Sequence, residues 1–187
     1  AVLCSCRVIQ VDEQKQPIRY RGAIGPSDVF YIPQTAIHYG MLLEQIPVGT
    51  PVQVAAQRQA FLAAVGWNPE ITTNYDDIDA WIRIADYGDV LFLQDFLAYR
   101  TIWSEGIDQK TGIAYHAHFN VDIKARIHQR VNAAYQPQCP SLKAISQYVY
   151  LHWGLVAFKQ GDIATALALT FPIVFLRQVW WLLLKIR

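Results

Sequence analysis

Asn74-Tyr75-Asp76-Asp77-Ile78-Asp79-Ala80-Trp81-Ile82-Arg83-Ile84-Ala85 decides how this chain is read. Ile78, Trp81, Ile82 and Ala85 recur at i, i+3, i+4, i+7, the period of one buried helix face. Thr73 or Asn74 can cap the start, and acids in the first turn suit the positive end of a helix. Asp79 and Arg83 form an i, i+4 pair able to steady the charged face. Asp76 and Asp77 then sit where a rigid helix can aim a carboxylate into a cleft. The alternative is that they serve the helix terminus alone.

Around this helix the chain punctuates itself. Upstream, residues 2–11 read as a strand, Asp12-Glu13-Gln14-Lys15-Gln16 as a polar turn, and Pro17-Ile18-Arg19-Tyr20 as a return partner. Residues 21–32, with Gly22, Gly25 and Pro26, read as a loop. Pro33 opens a helix to about Glu44, because proline suits the first helical position. Residues 52–56 read as a strand, 58–64 as a helix, and Gly66 as its stop. Downstream, Gly88 ends the acidic helix, and 90–93 and 97–102 read as two strands. Residues 104–112 are polar and Gly-bounded. Three helices follow, at about 113–135, 141–159 and 162–186. Pro137 and Pro140 break the first junction, and Gly161-Asp162 makes a stop-and-cap pair at the second.

Composition narrows the class. The chain has 187 residues, enough for one domain with a real core. It is 53% hydrophobic and 17% charged, greasier than an ordinary soluble domain. A net charge of +1 gives no basic excess and argues against nucleic acid as a partner. Cys4, Cys6 and Cys139 are odd in number. Cys4 and Cys6 lie i, i+2 on one strand face, which argues for reduced thiols in a cytosolic setting. The N-terminal run is interrupted by Cys4, Ser5, Cys6 and Arg7, so no signal peptide is read. The chain opens with Ala1 inside a strand-like run, which suggests a piece of a longer protein.

The acidic helix lies in a longer ordered set of segments. Upstream runs Gly49-Thr50-Pro51-Val52-Gln53-Val54-Ala55-Ala56-Gln57-Arg58-Gln59-Ala60-Phe61, then Val65-Gly66-Trp67. Downstream come Gly88-Asp89-Val90 and Phe96-Leu97-Ala98-Tyr99-Arg100. In this order and spacing, residues 1–103 resemble the C-terminal half of a family 2 glycosyltransferase. That large inverting family has the GT-A fold. Its pattern runs Arg-x-x-Phe, Val-Gly-Gly-Phe, Glu-Asp-x-Asp-Leu-Trp-Leu-Arg-Leu-Ala, Gly-x-Val, then Leu-x-x-Tyr-Arg. The resemblance implies an α/β fold: a partial GT-A-like mixed sheet at 1–103, the acceptor side, followed by a helical C-terminal extension at 104–187.

The same resemblance implies a reaction. The complete enzyme would move a sugar from a nucleotide-diphosphate donor to a sugar or lipid-linked acceptor hydroxyl, with Mg²⁺ or Mn²⁺. Its setting would be bacterial cell-envelope polysaccharide synthesis, in the cytoplasm or at the inner face of the membrane. The family's catalytic Asp maps to Asp77, a general base that takes the acceptor's proton. Asp76 replaces the family's Glu. Asp79, Trp81, Arg83, Trp67, Arg58 and Arg100 are its active-site or acceptor neighbours. Two positions depart: the family's frequent His after Tyr-Arg is Ile102 here, and Gly-Gly-Phe becomes Gly66-Trp67. Trp67 can stack on a sugar face or serve as a core aromatic.

Other constellations are weaker. Asp77-Ile78-Asp79 matches the Asp-x-Asp string that holds a donor metal, but that string belongs at the end of a buried strand, and this one opens a helix. No other Asp-x-Asp occurs in the chain. The donor-metal site is therefore expected elsewhere, and this chain alone is expected to be inactive. His116-Ala117-His118 would face apart on a helix and cannot share a metal. His38, His128 and His152 read as structural or surface residues. The nearly apolar run from Ile163 to Ile186 ends with Trp180, Trp181, Lys185 and Arg187, a composition suited to ordinary packing, to interfacial membrane contact or to a span. Pro172, Arg177 and Gln178 weigh against a span. The competing class is a non-catalytic helical interaction or membrane-associated module derived from a truncated transferase.

Overall fold

The computed structural model describes residues 1–20, 28–46, 49–71, 75–103, 106 and 111–186. It is a mixed α/β protein: five strands form one sheet, and helices carry most of the rest.

The sheet is built on β1 (Leu3–Val11) and β5 (Val90–Thr101), which run parallel from Leu3 opposite Val90 to Val11 opposite Thr101. β2 (Pro17–Tyr20) returns antiparallel on β1, as its polar turn predicts. β4 (Val54–Ala56) pairs antiparallel with the start of β1, and β3 (Val29–Ile32) antiparallel with the start of β5.

Several sequence expectations change here. Residues 90–93 and 97–102 belong to one strand. The register with β1 slips twice: Cys6 faces Leu93, Arg7 faces Phe96 and Val8 faces Ala98, so Gln94 and Asp95, then Leu97, are absorbed as irregularities. Residues 28–32 are not loop. Val29-Phe30-Tyr31-Ile32 is a β-branched and aromatic run that finds an edge on β5, while 21–27 lie outside the described residues. Residues 51–53 are a 3₁₀ turn, which shortens the strand that follows.

Four helices pack on and beside the sheet. α1 (Gln34–Leu42) starts after Pro33, which holds the N-cap with extended ψ rather than the first helical position. α2 (Arg58–Ala63) ends in two left-handed residues, Val65 at φ 65° and Gly66 at φ 63°, and the Gly66 amide donates back to the Phe61 carbonyl at 2.9 Å. α3 (Asp76–Ile84) buries Ala80, Trp81, Ile82 and Ile84 and runs into a 3₁₀ turn at Ala85–Tyr87. α4 (Ile113–His128) is shorter than its predicted 113–135, because a 3₁₀ segment at Ala133–Gln138 carries the chain to Pro140.

Beyond α4, α5 (Leu142–Lys159) is capped by Ser141. Gly161 then ends it at φ 83°, and Asp162 accepts the Thr165 amide to open the next helix. The long helix expected at 162–186 is broken. α6 (Ile163–Thr170), a 3₁₀ turn (Ile173–Phe175) and α7 (Arg177–Ile186) replace it. Pro172 lacks an amide hydrogen and its ring clashes with the preceding turn, so the ladder cannot run through it. No helix among the described residues is long and apolar enough to cross a membrane.

One hydrophobic core joins both halves of the chain. It includes Val2, Leu3 and Val90 from the sheet, Ile82 and Ile84 from α3, Ile123 and Ile127 from α4, and Val179, Leu182 and Ile186 from α7.

Candidate functional site

α3 leads into β5 through the 3₁₀ turn Ala85–Tyr87 and the Gly88-Asp89 link. Tyr75 is the N-cap residue and makes no side-chain capping bond. Thr73 and Asn74, the capping residues expected from sequence, lie outside the described residues. The terminus is organised instead by its acids: Asp76 accepts the Asp77 amide at 2.9 Å, and Asp77 accepts the Ile78 amide at 2.7 Å.

Asp77 is only 8% exposed. Burial is the chief reason its pKa is pushed up to about 6; the Ile78 amide opposes the rise, Asp76 adds to it, and the Arg100 guanidinium draws it back. Asp77 and Arg100, from α3 and the far end of β5, therefore share one electrostatic environment. A carboxylate with this pKa is mostly ionised at neutral pH and still basic enough to accept a proton.

A buried polar cluster fixes the entry to α3. Tyr75 stacks on Phe119 with centroids 4.4 Å apart, and its hydroxyl lies 2.8 Å from His116 Nδ1. Asn120 donates to that hydroxyl at 2.9 Å and to the His116 carbonyl at 2.8 Å. The other face of His116 lies flat on Trp153, 5.0 Å away. His118 points elsewhere, to Tyr150 at 3.1 Å, so the two histidines do face apart.

Asp79 has a different fate from Asp77. It is 2% exposed, and both of its oxygens are occupied: Arg83 donates at 2.9 Å, as the i, i+4 spacing predicts, and Arg126 of α4 donates at 3.1 Å. Arg83 also donates to the carbonyls of Ala64 and Gly66, locking α3 to the end of α2. The pair that steadies the charged face also ties three elements together, because Arg126 joins it from α4. Both Asp79 oxygens face arginine cations, which disfavours a metal cation beside them. Among the described residues no group of three or more His, Cys, Asp or Glu could hold a metal ion.

The remaining candidates are dispersed. Trp81 donates its indole hydrogen to the Gly49 carbonyl at 3.0 Å and meets Trp67 edge-on at 5.5 Å. Trp67 in turn meets Phe61 at 5.6 Å and leaves nearly half its surface in solvent. Arg58 is exposed at the first position of α2.

Trp81 also walls a cavity of about 300 Å³, with Ile82, Ile123, Ile127, Tyr148 and Trp153. Asp76, Asp77 and Asp79 are not part of its lining. Sequence reasoning missed a buried cation there. The Lys124 amine donates to the carbonyls of Met41 and Leu42 at 3.2 and 2.7 Å and pairs with Glu44 at 3.2 Å. It thereby caps the negative end of α1, and burial pushes its pKa down. The signal was present: His116, Asn120, Ile123, Lys124 and Ile127 share one helical stripe, so a Lys there must go inward. Compared with models of protein families, with curated protein sequences and with solved structures, the chain finds no match.

Proposed function

We propose that this chain forms the acceptor side of an inverting glycosyltransferase similar to family 2 enzymes of GT-A fold, with Asp77 as the general base. The observation that carries the reading is Asp77 itself: a buried carboxylate at the N-terminus of α3, with its pKa near 6, under the influence of Arg100. In the proposed step an acceptor hydroxyl gives its proton to Asp77. Its oxygen bonds to the anomeric carbon while the bond from that carbon to the donor's diphosphate oxygen breaks. The nucleoside diphosphate leaves with the electron pair. One displacement inverts the centre, so no covalent nucleophile is required. The acceptor is a sugar or lipid-linked hydroxyl. Arg100 favours the ionised form of Asp77.

The donor's Mg²⁺ or Mn²⁺ belongs to the proposed complete enzyme. The described residues supply no ligand cluster for it, and no step here runs through it. Transfer from nucleotide-diphospho-sugars to glycan acceptors tests the reading, with a protein that also carries a donor-binding segment. Asp77→Asn is expected to lower turnover about 10²–10⁴-fold with donor affinity unchanged. Turnover within a few-fold of wild type would remove Asp77 from the chemistry and favour a non-catalytic helical module.

A further inference from the structure

α7 is apolar on both sides. Val179, Leu182, Leu183 and Ile186 form its buried face at i, i+3, i+4, i+7. The opposite face should then be polar, yet it carries Trp180, Trp181 and Leu184. α6 repeats the pattern. Ala166 and Leu169 face inward, while Leu167 and Phe171 face solvent. Phe171 is 69% exposed, Phe175 74% and Leu184 78%. These side chains are neighbours rather than scattered singles. Leu167 and Phe171 are one turn apart, Phe171 and Phe175 meet edge-on at 6.2 Å, and Trp180 donates to the carbonyl of Val174 at 2.7 Å. Trp181 and Leu184 continue the stripe along α7.

Charge is distributed to match. No charged residue lies between Asp162 and Arg177. Exposed Lys159, Arg177 and Lys185 border the stripe, and Lys185 sits over the Trp181 ring at 4.9 Å. Asp162 is the only acid after Asp122, and its carboxylate is engaged in capping α6. Indole rings beside ammonium and guanidinium groups suit the boundary between lipid tails and headgroups. With no helix among the described residues able to span, the stripe can enter a bilayer only from the side.

We infer that the outer face of α6 and α7 is a docking surface for an anionic lipid bilayer, with the aromatic stripe in the headgroup–acyl boundary and the cations against lipid phosphates and carboxylates. This inference is independent of the reaction proposed above, and its test does not read turnover.

The test is co-sedimentation of the full chain with vesicles of phosphatidylcholine, alone or mixed with phosphatidylserine. Wild type is expected to bind the mixed vesicles, less so as salt rises, and neutral vesicles much more weakly. Arg177→Glu with Lys185→Glu should weaken binding about 25-fold or more, at about fivefold for each cation lost. Phe175→Ser with Trp181→Ser should weaken binding to both vesicle types by about tenfold or more. Because these four side chains are exposed, circular dichroism melts should stay unchanged. Absence of wild-type binding, or equal binding by the variants, would overturn the inference. So would concentration-dependent dimerisation without vesicle binding, abolished by the aromatic pair of changes, which assigns the face to a second copy of this chain.

Discussion

α3 and the α6–α7 segment break the same rule from opposite sides. α3 takes two carboxylates out of water, Asp77 and Asp79. The segment leaves four large aromatic rings in water, Phe171, Phe175, Trp180 and Trp181. Buried charge and contiguous exposed apolar surface are both costly, and both are informative for that reason. Within α3 the contrast sharpens. Asp79 is compensated by two arginines, one on each carboxylate oxygen, and ties three elements together. Asp77 is compensated only in part, which leaves it basic. Partial compensation, more than burial itself, separates a candidate catalytic group from a structural one.

The largest effect that can break this comparison is on turnover. Asp77→Asn keeps an oxygen for the Ile78 amide but cannot take a proton, so turnover should fall about 10²–10⁴-fold while the fold survives. Steady-state kinetics beside a melting curve would separate the two outcomes; parallel loss of both would make Asp77 structural like Asp79.

Asp79→Ala should do the reverse. It removes the acceptor of Arg83 and of half-exposed Arg126 and should cost about 2–3 kcal/mol in urea unfolding. A loss below about 1 kcal/mol would show that solvent already screens the triad.

The pH dependence of stability sharpens the Asp77 side. Its folded-state pKa is raised from 3.8 to about 6, so the native state holds this proton more tightly than the unfolded chain does. The stability it contributes is full below about pH 4 and is lost as pH rises through about 6. At about 1.4 kcal/mol per unit the loss is on the order of 3 kcal/mol. Asp77→Asn lacks this titration, so the difference in unfolding free energy between it and wild type should grow from pH 4.5 to pH 7 in favour of the variant. A constant difference would rule out a raised pKa.

Smaller effects concern the α6–α7 segment. A Cβ at Gly154 of α5 would strike the Thr170 methyl and lie 3.4 Å from the Ala166 carbonyl. Gly154→Ala should therefore push α6 away and cost about 1–3 kcal/mol in thermal or urea unfolding. Trp181→Ser, by contrast, should change stability by less than about 0.5 kcal/mol, since its ring is exposed. A large loss there would mean that the ring holds α7 in place rather than facing a partner.

Much of this was written locally. The period of residues 78–85 specified α3, and the reach of i, i+4 side chains specified Asp79–Arg83. Gly66 and the Gly161-Asp162 pair marked helix ends because only certain residues accept a left-handed backbone or cap an open turn. What sequence left open depended on partners far along the chain. Val29–Ile32 became a strand because β5 offered it an edge. Gln94 and Asp95 continued β5 because β1 ran long enough to tolerate a bulge. Pro172 was visible, but its reading as a break in α6–α7 rather than a kink needed the packing of both helices on α5. For the site, the sequence picked out the acids and could not tell them apart. Arg126 lies 47 residues from Asp79, and no local period connects them. Arg100 lies 23 residues beyond Asp77, on β5, and no local period links them. Side-chain spacing is fixed by the helix and strand repeat, whereas the dielectric and charge around a carboxylate are set by whichever distant segments pack against it.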